Sequence, residues 1–169
     1  MANTKNHEDR RAVLAAVGYE FDQLIGMHLL RTTARWKVDE KAHEFIWLRN
    51  ALLESQCVHV RTLIEFFFLE DPNRITASAC VPEWPTQRPE GNEALGTDVG
   101  RLYGDLNARL SHVYSPRKGD RVWDDLPTIT AGLIETVRIF AEQLGDRPND
   151  LRALRSKMPQ MAWDGLPAN

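Results

Sequence analysis

The longest apolar stretch of the chain runs from residue 45 to residue 69, with the sequence FIWLRNALLESQCVHVRTLIEFFFL. It contains neither proline nor glycine, so no residue in it breaks a helix. Apolar side chains would lie in nearly every direction around this helix, which is typical of a helix that is buried among others. The pattern therefore predicts a central helix, from Phe45 to about Glu70, on which the rest of the chain packs.

Two more segments repeat apolar residues at intervals of three and four, which is the spacing of one helix face. The spacing predicts a first helix from about Glu8 to Lys37 and a third from about Glu93 to Tyr114. The face of the first helix consists of Val13, Val17, Phe21, Leu24, His28 and Leu29. The face of the third consists of Leu95, Val99, Leu102, Leu106 and Leu110. Both faces predict packing against other helices.

The last part of the chain predicts a fourth long helix and a short one. Asp124 and Asp125 suit the start of the fourth helix, with Pro127 in its first turn, and the helix runs to about Leu144. A short helix is predicted over residues 149–157, and no segment favours a strand. The sequence thus predicts an all-α fold, an antiparallel bundle of four long helices plus a short C-terminal helix.

Residues 1–169 are predicted to form a single domain, because this length suits one core of ordinary size. Two segments lie outside the predicted long helices: a long proline-rich connection at 71–92 and a C-terminal tail at 158–169. We predict that apolar residues of the connection pack it against the bundle, with a ligand-binding lid as the alternative. These residues are Ile75, Val81 and Trp84.

Composition and charge agree with a soluble globular protein: hydrophobic residues make up 43% of the chain, charged residues 27%, and the formal net charge is −3. Such a charge produces no overall attraction to nucleic acid, but it is compatible with a local basic patch. No signal peptide and no apolar run of about 18 residues is present, so we expect a cytoplasmic protein without a membrane interaction. We expect no disulfide between the two cysteines, Cys57 and Cys80.

Motifs that bind nucleotide phosphates, dinucleotides or catalytic zinc are absent from the chain. One Glu-x-x-His motif occurs at Glu40 and His43, whereas a di-metal bundle needs two. The nearest second copy, Gln56 to His59, has an amide in place of the carboxylate. We therefore expect no metal ion and no cofactor.

Four polar residues on one face interrupt the apolar central helix: Asn50, Glu54, Arg61 and Glu65. Buried polar groups need partners. We interpret them as an ion-pair network that fixes the register of the helix, with a proton-transfer or binding cluster as the alternative. His59 on the opposite side and His28 in the first helix are predicted to be hydrogen-bonded structural histidines.

The most specific signal lies in the segment LNARLSHVY, from Leu106 to Tyr114. It resembles the functional segment of the HEPN family (higher eukaryotes and prokaryotes nucleotide-binding), small α-helical bundles that include metal-independent ribonucleases. Those ribonucleases carry Arg-x(4–6)-His near the end of a late helix, often with a polar residue after the arginine, and one toxin branch continues with x-Tyr. Here His112 and Tyr114 match His-x-Tyr, and Asn107 matches the polar residue. The central stretch also resembles the long helix of bacterial HEPN-like proteins, some tied to phage defence.

The arginine of this motif is missing, because its position holds Leu106 or Asn107, depending on the spacing. Cleavage of RNA by its own 2′-hydroxyl needs a base and a positive charge near the phosphorus. The resemblance therefore implies that another arginine of the segment supplies the charge, either Arg109 or Arg117. The alternative is that the polar residues of this helix form an ordinary solvated face.

For the remaining chemistry, the resemblance implies that His112 acts as the base or acid, while Asn107 and Tyr114 orient phosphate or ribose. The implied protein acts on RNA as a homodimer, possesses an antitoxin or other protein partner, and belongs to a toxin or phage-defence system. One alternative is an inactive HEPN-like module that binds RNA or a partner protein. Another is a bundle that only oligomerises, through the glycine stripe at Gly96, Gly100 and Gly104.

Overall fold

The computed structural model describes residues 2–33, 43–84, 99–111, 121–145 and 147–158, with the backbone alone for 2–7, 33, 109–111 and 121–124. All regular elements in these ranges are α-helices, which confirms the predicted all-α class. In chain order they are α1 (Ala2–Thr33), α2 (His43–Phe68), α3 (Ala77–Cys80), α4 (Val99–Ser111), α5 (Arg121–Gln143) and α6 (Pro148–Arg155). None of the described helices is long and apolar enough to cross a membrane.

Helix α2 is the centre of the packing, since it contacts α1, α3, α4 and α5. Its C-terminal half is buried as predicted, with Leu63, Ile64 and Phe67 fully enclosed. Its N-terminal half is not, because Trp47 is 67% exposed and Leu48 is also exposed. The prediction of a helix covered on all sides is therefore wrong for this half, where the described neighbours leave the side of Trp47 open.

An aromatic cluster connects α2 to α5. The ring of Phe140 lies 5.2 Å from that of Phe67 and 5.1 Å from that of Trp84, both edge to face. Such arrangements stabilise a core beyond the area that they bury. Trp84 also donates a hydrogen bond from Nε1 to the Phe67 carbonyl at 2.8 Å. These contacts confirm that the described part of the 71–92 connection packs on the bundle, together with buried Val81 and partly buried Ile75.

The short helix α3 was not predicted, and helix boundaries differ most from the prediction at the starts of α1 and α5. Helix α1 begins at Ala2 instead of Glu8, because its polar first residues include neither proline nor glycine to stop it. Helix α5 begins at Arg121, so Pro127 lies inside the helix and not in its first turn. Proline removes one backbone hydrogen bond there, and the burial of Leu126 and Ile129 beside it compensates for that loss.

Helix α6 packs closely against α1. A Cβ atom on Gly18 would lie 2.1 Å from the carbonyl oxygen of Leu154, so only glycine permits this approach. In the same contact the buried carboxylate of Asp150 forms an ion pair with Arg10, with Nη2 and Oδ2 separated by 2.8 Å. The Nε of Arg11 lies 3.9 Å from Oδ1. A backbone contact and an ion pair therefore hold α6 on α1.

Candidate functional site

The resemblance to HEPN ribonucleases predicts an RNA site at the end of α4, and the structure describes the residues that precede this segment. The helix continues through Ser111. His112, Tyr114 and Arg117 lie outside the described residues, and so does the side chain of Arg109. The geometry of the predicted catalytic group is therefore not described.

Two described side chains of α4 bear on the motif. Asn107 is half-buried. Leu106 is fully buried, so a side chain at this position of the motif faces the core and does not reach an RNA phosphate. On the outer side of the helix, Arg101 pairs with Asp105, with Nε and Oδ2 separated by 3.8 Å. The predicted RNA cleavage would therefore need its positive charge from a position other than 106.

The polar stripe predicted on α2 is divided between the two halves of the helix. Asn50 is half-buried and Glu54 exposed, both in the N-terminal half. Arg61 and Glu65 bond to each other, with Arg61 Nε donating to Glu65 Oε1 at 3.1 Å. The predicted ion pair is confirmed for these two residues only.

Glu65 is the centre of a larger group, which we call the Glu65 cluster and which consists of Arg61, Glu65, Asp71, Arg74 and Tyr103. The Tyr103 hydroxyl donates to Oε1 at 2.7 Å, and Arg74 Nη1 donates to Oε2 at 3.0 Å. Arg74 Nε lies 3.2 Å from Oδ2 of Asp71, and the Arg61 guanidinium lies 5.8 Å from the centre of the Tyr103 ring. The cluster thus joins α2, the turn that follows it, and α4.

Sequence reasoning missed Arg74 and Tyr103 as partners of Glu65. The available signal was the turn at Asp71-Pro72-Asn73, in which the Asn73 N–H donates to Asp71 Oδ1 at 2.8 Å. This type of turn reverses the chain after α2 and carries Arg74 back beside Glu65. Tyr103 gave no comparable signal, because it lies at the edge of the apolar face of α4.

A pocket of about 470 Å³ opens beside the Glu65 cluster. Its walls come from α1, from the C-terminal half of α2, from residues 69–76 and from Tyr103 of α4. Its apolar surface consists mainly of Val13, Val17, Leu63, Phe66, Leu69 and Ile75. Its charged groups are Glu20, Glu65, Glu70, Asp71 and Arg74. The volume lies within the range of small-molecule sites.

Glu20 links this pocket to His59. Nδ1 of His59 lies 2.7 Å from Oε2 of Glu20, and Nε2 lies 3.4 Å from the Ser55 hydroxyl. Acid, histidine and serine occur in the order of a catalytic triad, but Ser55 is inside α2, where backbone N–H groups bond within the helix and offer no oxyanion hole. The group ties α1 to α2, which confirms that His59 is hydrogen-bonded.

Three further titratable groups are removed from solvent: His28 is partly buried, and Cys57 and Cys80 are buried. Burial, and secondarily Arg31, lower the pKa of His28, whose Nδ1 has no hydrogen-bond partner among the described residues. The hydrogen bond predicted for His28 is therefore absent at this atom. Cys57 and Cys80 are buried free thiols, and burial raises the pKa of the Cys80 thiol to about 12. A thiol of this kind stays protonated and unreactive.

No group of three or more His, Cys, Asp or Glu side chains within the described ranges is arranged to hold a metal ion. Gln56 is fully buried and donates to the Thr130 hydroxyl at 3.0 Å, so it connects α2 to α5. His43 is exposed, with its ring 6.3 Å from that of Trp47, and Glu40 lies outside the described residues.

Comparison of the chain with protein-family models, with curated proteins and with solved structures found no match. The candidate sites therefore depend on sequence pattern and geometry alone.

Proposed function

We propose that this protein is a HEPN-like helical domain that cleaves RNA without a metal ion, in a toxin or phage-defence system of the cytoplasm. One observation supports the proposal. Helix α4 continues through Ser111, the residue before His112, and the HEPN motif occurs near the end of a late helix. The all-α architecture agrees with the proposal but does not select it, because helical folds of this kind serve many functions.

In the proposed reaction, His112 removes the proton of a ribose 2′-hydroxyl. The 2′-oxygen then bonds to the adjacent phosphorus, and the bond from phosphorus to the 5′-oxygen breaks as that oxygen takes up a proton. The products are a 2′,3′-cyclic phosphate and a 5′-hydroxyl. Asn107 and Tyr114 orient the phosphate or ribose. Arg109 or Arg117 stabilises the charge that develops on the phosphoryl oxygens.

The proposal includes a homodimer, in which a second copy brings its own arginines to the site. One face of α4 is open to such a partner within the described part of the chain. Gly100 and Gly104 are exposed, and a Cβ atom on Gly104 would meet nothing within 4 Å. Glycines on an open face allow another backbone to approach closely. An antitoxin that covers the site is the second partner that the proposal implies.

A second function, binding of RNA or of a partner protein without cleavage, is favoured by the burial of Leu106. In one of the two spacings this residue occupies the motif position that supplies the arginine of active members, and its side chain is part of the core. A domain that has lost this arginine can keep its fold and its binding surface while it loses turnover.

The test is cleavage of RNA by the purified protein in the presence of a metal chelator. We expect the wild type to cleave and His112→Ala to lose at least about 100-fold in rate, since a positioned acid or base contributes that much or more. His43→Ala, at the exposed start of α2, is the control and should match the wild type. If the wild type leaves RNA intact, catalysis is rejected. Binding that Arg109→Glu abolishes would then establish the second function.

A further inference from the structure

We propose that the pocket beside the Glu65 cluster binds a small amphipathic amine, in which a protonated amino group is attached to an apolar chain or ring. The pocket lies between α1, α2 and the turn at 69–76. It involves none of the residues assigned to RNA cleavage, so this inference goes beyond the proposed function and does not depend on it.

The apolar part of the ligand is indicated by the pocket surface. Val17, Leu63 and Phe66 line it, and each is at least nine-tenths buried, which makes them a fixed apolar wall. Leu69 and Ile75 extend this wall into the turn. At about 470 Å³, the space suits one ring or a short alkyl chain, which would gain free energy by leaving water.

The sign of the ligand charge follows from the ionisable groups. Four carboxyl groups line the pocket against the single guanidinium of Arg74, and Arg74 is shared between Glu65 and Asp71. Adding the partners from outside the pocket, Arg61 on Glu65 and His59 on Glu20, still leaves four carboxyl groups against three basic groups. A negatively charged ligand would be repelled, whereas a cation would be attracted.

Glu20 is the carboxylate that best suits the amino group. Glu65 already accepts from three donors. Glu20 bonds to His59 through Oε2, which leaves Oε1 for a ligand, and its side chain is 23% exposed. A hydrogen bond between an ammonium and a partly buried carboxylate is stronger than one between neutral groups.

The test titrates the full chain with 2-phenylethylamine or hexylamine. Binding is measured by NMR from the changes in backbone amide chemical shifts. We expect saturable shifts in residues of the pocket at amine concentrations of about 10 mM or below. The matched neutral compounds, 2-phenylethanol and hexanol, should bind at least about tenfold more weakly, because they lack the charge-assisted hydrogen bond. Equal binding of amine and alcohol, or no saturable binding of either amine, overturns the proposal.

Two variants locate the site. Glu20→Gln keeps the shape of the side chain and should weaken amine binding at least about fivefold, while binding of the alcohols stays the same. Ala16→Leu places a larger side chain on the exposed rim of the pocket and should weaken binding of amines and alcohols alike. Glu83→Gln, an exposed carboxyl group that does not line this pocket, is the control. Unchanged amine binding in both Glu20→Gln and Ala16→Leu contradicts the assignment.

Discussion

Two groups of arginines and carboxylates in this molecule have similar chemistry and different surroundings. At the contact between α1 and α6, the Asp150 side chain is 4% exposed and that of Arg10 20%. In the Glu65 cluster, Glu65 is 20% exposed and Arg74 65%. A buried charge that loses its partner remains without water, whereas an exposed charge that loses its partner is solvated again. The comparison indicates that the first group holds the fold together and that the second contributes little to its stability.

The largest effect is expected from breaking the buried pair. Asp150→Asn keeps the shape of the side chain but removes the buried charge that pairs with Arg10. It should lower the free energy of unfolding by about 3 kcal/mol, the lower end for buried pairs because Arg10 keeps some water. Urea unfolding, followed by circular dichroism, measures this loss of stability. The control is Asp105→Asn, which breaks an exposed pair and should cost less than about 0.5 kcal/mol. Equal losses in the two variants would contradict the distinction between the groups.

The second-largest loss of stability is expected from crowding the backbone contact beside the buried pair. Gly18→Ala adds a methyl group where the Leu154 carbonyl oxygen lies 2.1 Å away, so α6 must move. We expect a loss of about 2 kcal/mol, typical of overpacking, in the same urea experiment. Gly26→Ala is the matched control in the same helix, because its Cβ would meet nothing within 4 Å, and it should be neutral or stabilising. A loss in Gly26→Ala as large as in Gly18→Ala would remove the explanation by close contact.

The smallest effect is expected in the Glu65 cluster. Glu65→Gln removes the charge but keeps an acceptor for Tyr103, and it should lower the free energy of unfolding by about 1 kcal/mol or less. A loss of stability as large as that in Asp150→Asn would show that the Glu65 cluster also stabilises the fold. It would contradict the distinction between this cluster and the buried pair.

The helices could be predicted well because their signals are local. The absence of proline and glycine from residue 45 to residue 69, and the apolar spacing through Phe21 and Leu24, indicated α1 and α2. The exposure of Trp47 could not be predicted, because it depends on where neighbouring helices end. The start of α5 was also misplaced, since packing of Leu126 and Ile129 outweighed the usual preference of Pro127 for a first turn.

The sites could be predicted only in part. Arg61 and Glu65 are one turn apart on a single helix, so their pairing followed from helix geometry. The pairing of Arg10 with Asp150 joins opposite ends of the chain and has no local signal. The same holds for Glu20 with His59, which connects α1 to α2. Contacts of this kind depend on which helices pack together, and a pattern along one helix does not determine that.

The central claim, that the protein cleaves RNA through a 2′-hydroxyl, is tested most directly by comparing two substrates of the same sequence, one of RNA and one with 2′-O-methyl ribose throughout. Both are incubated with the wild type in the presence of a chelator, and the products are separated by length and treated to detect cyclic phosphate ends. We predict that only the RNA is cut and that its new 3′ ends carry a 2′,3′-cyclic phosphate. Cleavage of both substrates, or of neither, would contradict the claim.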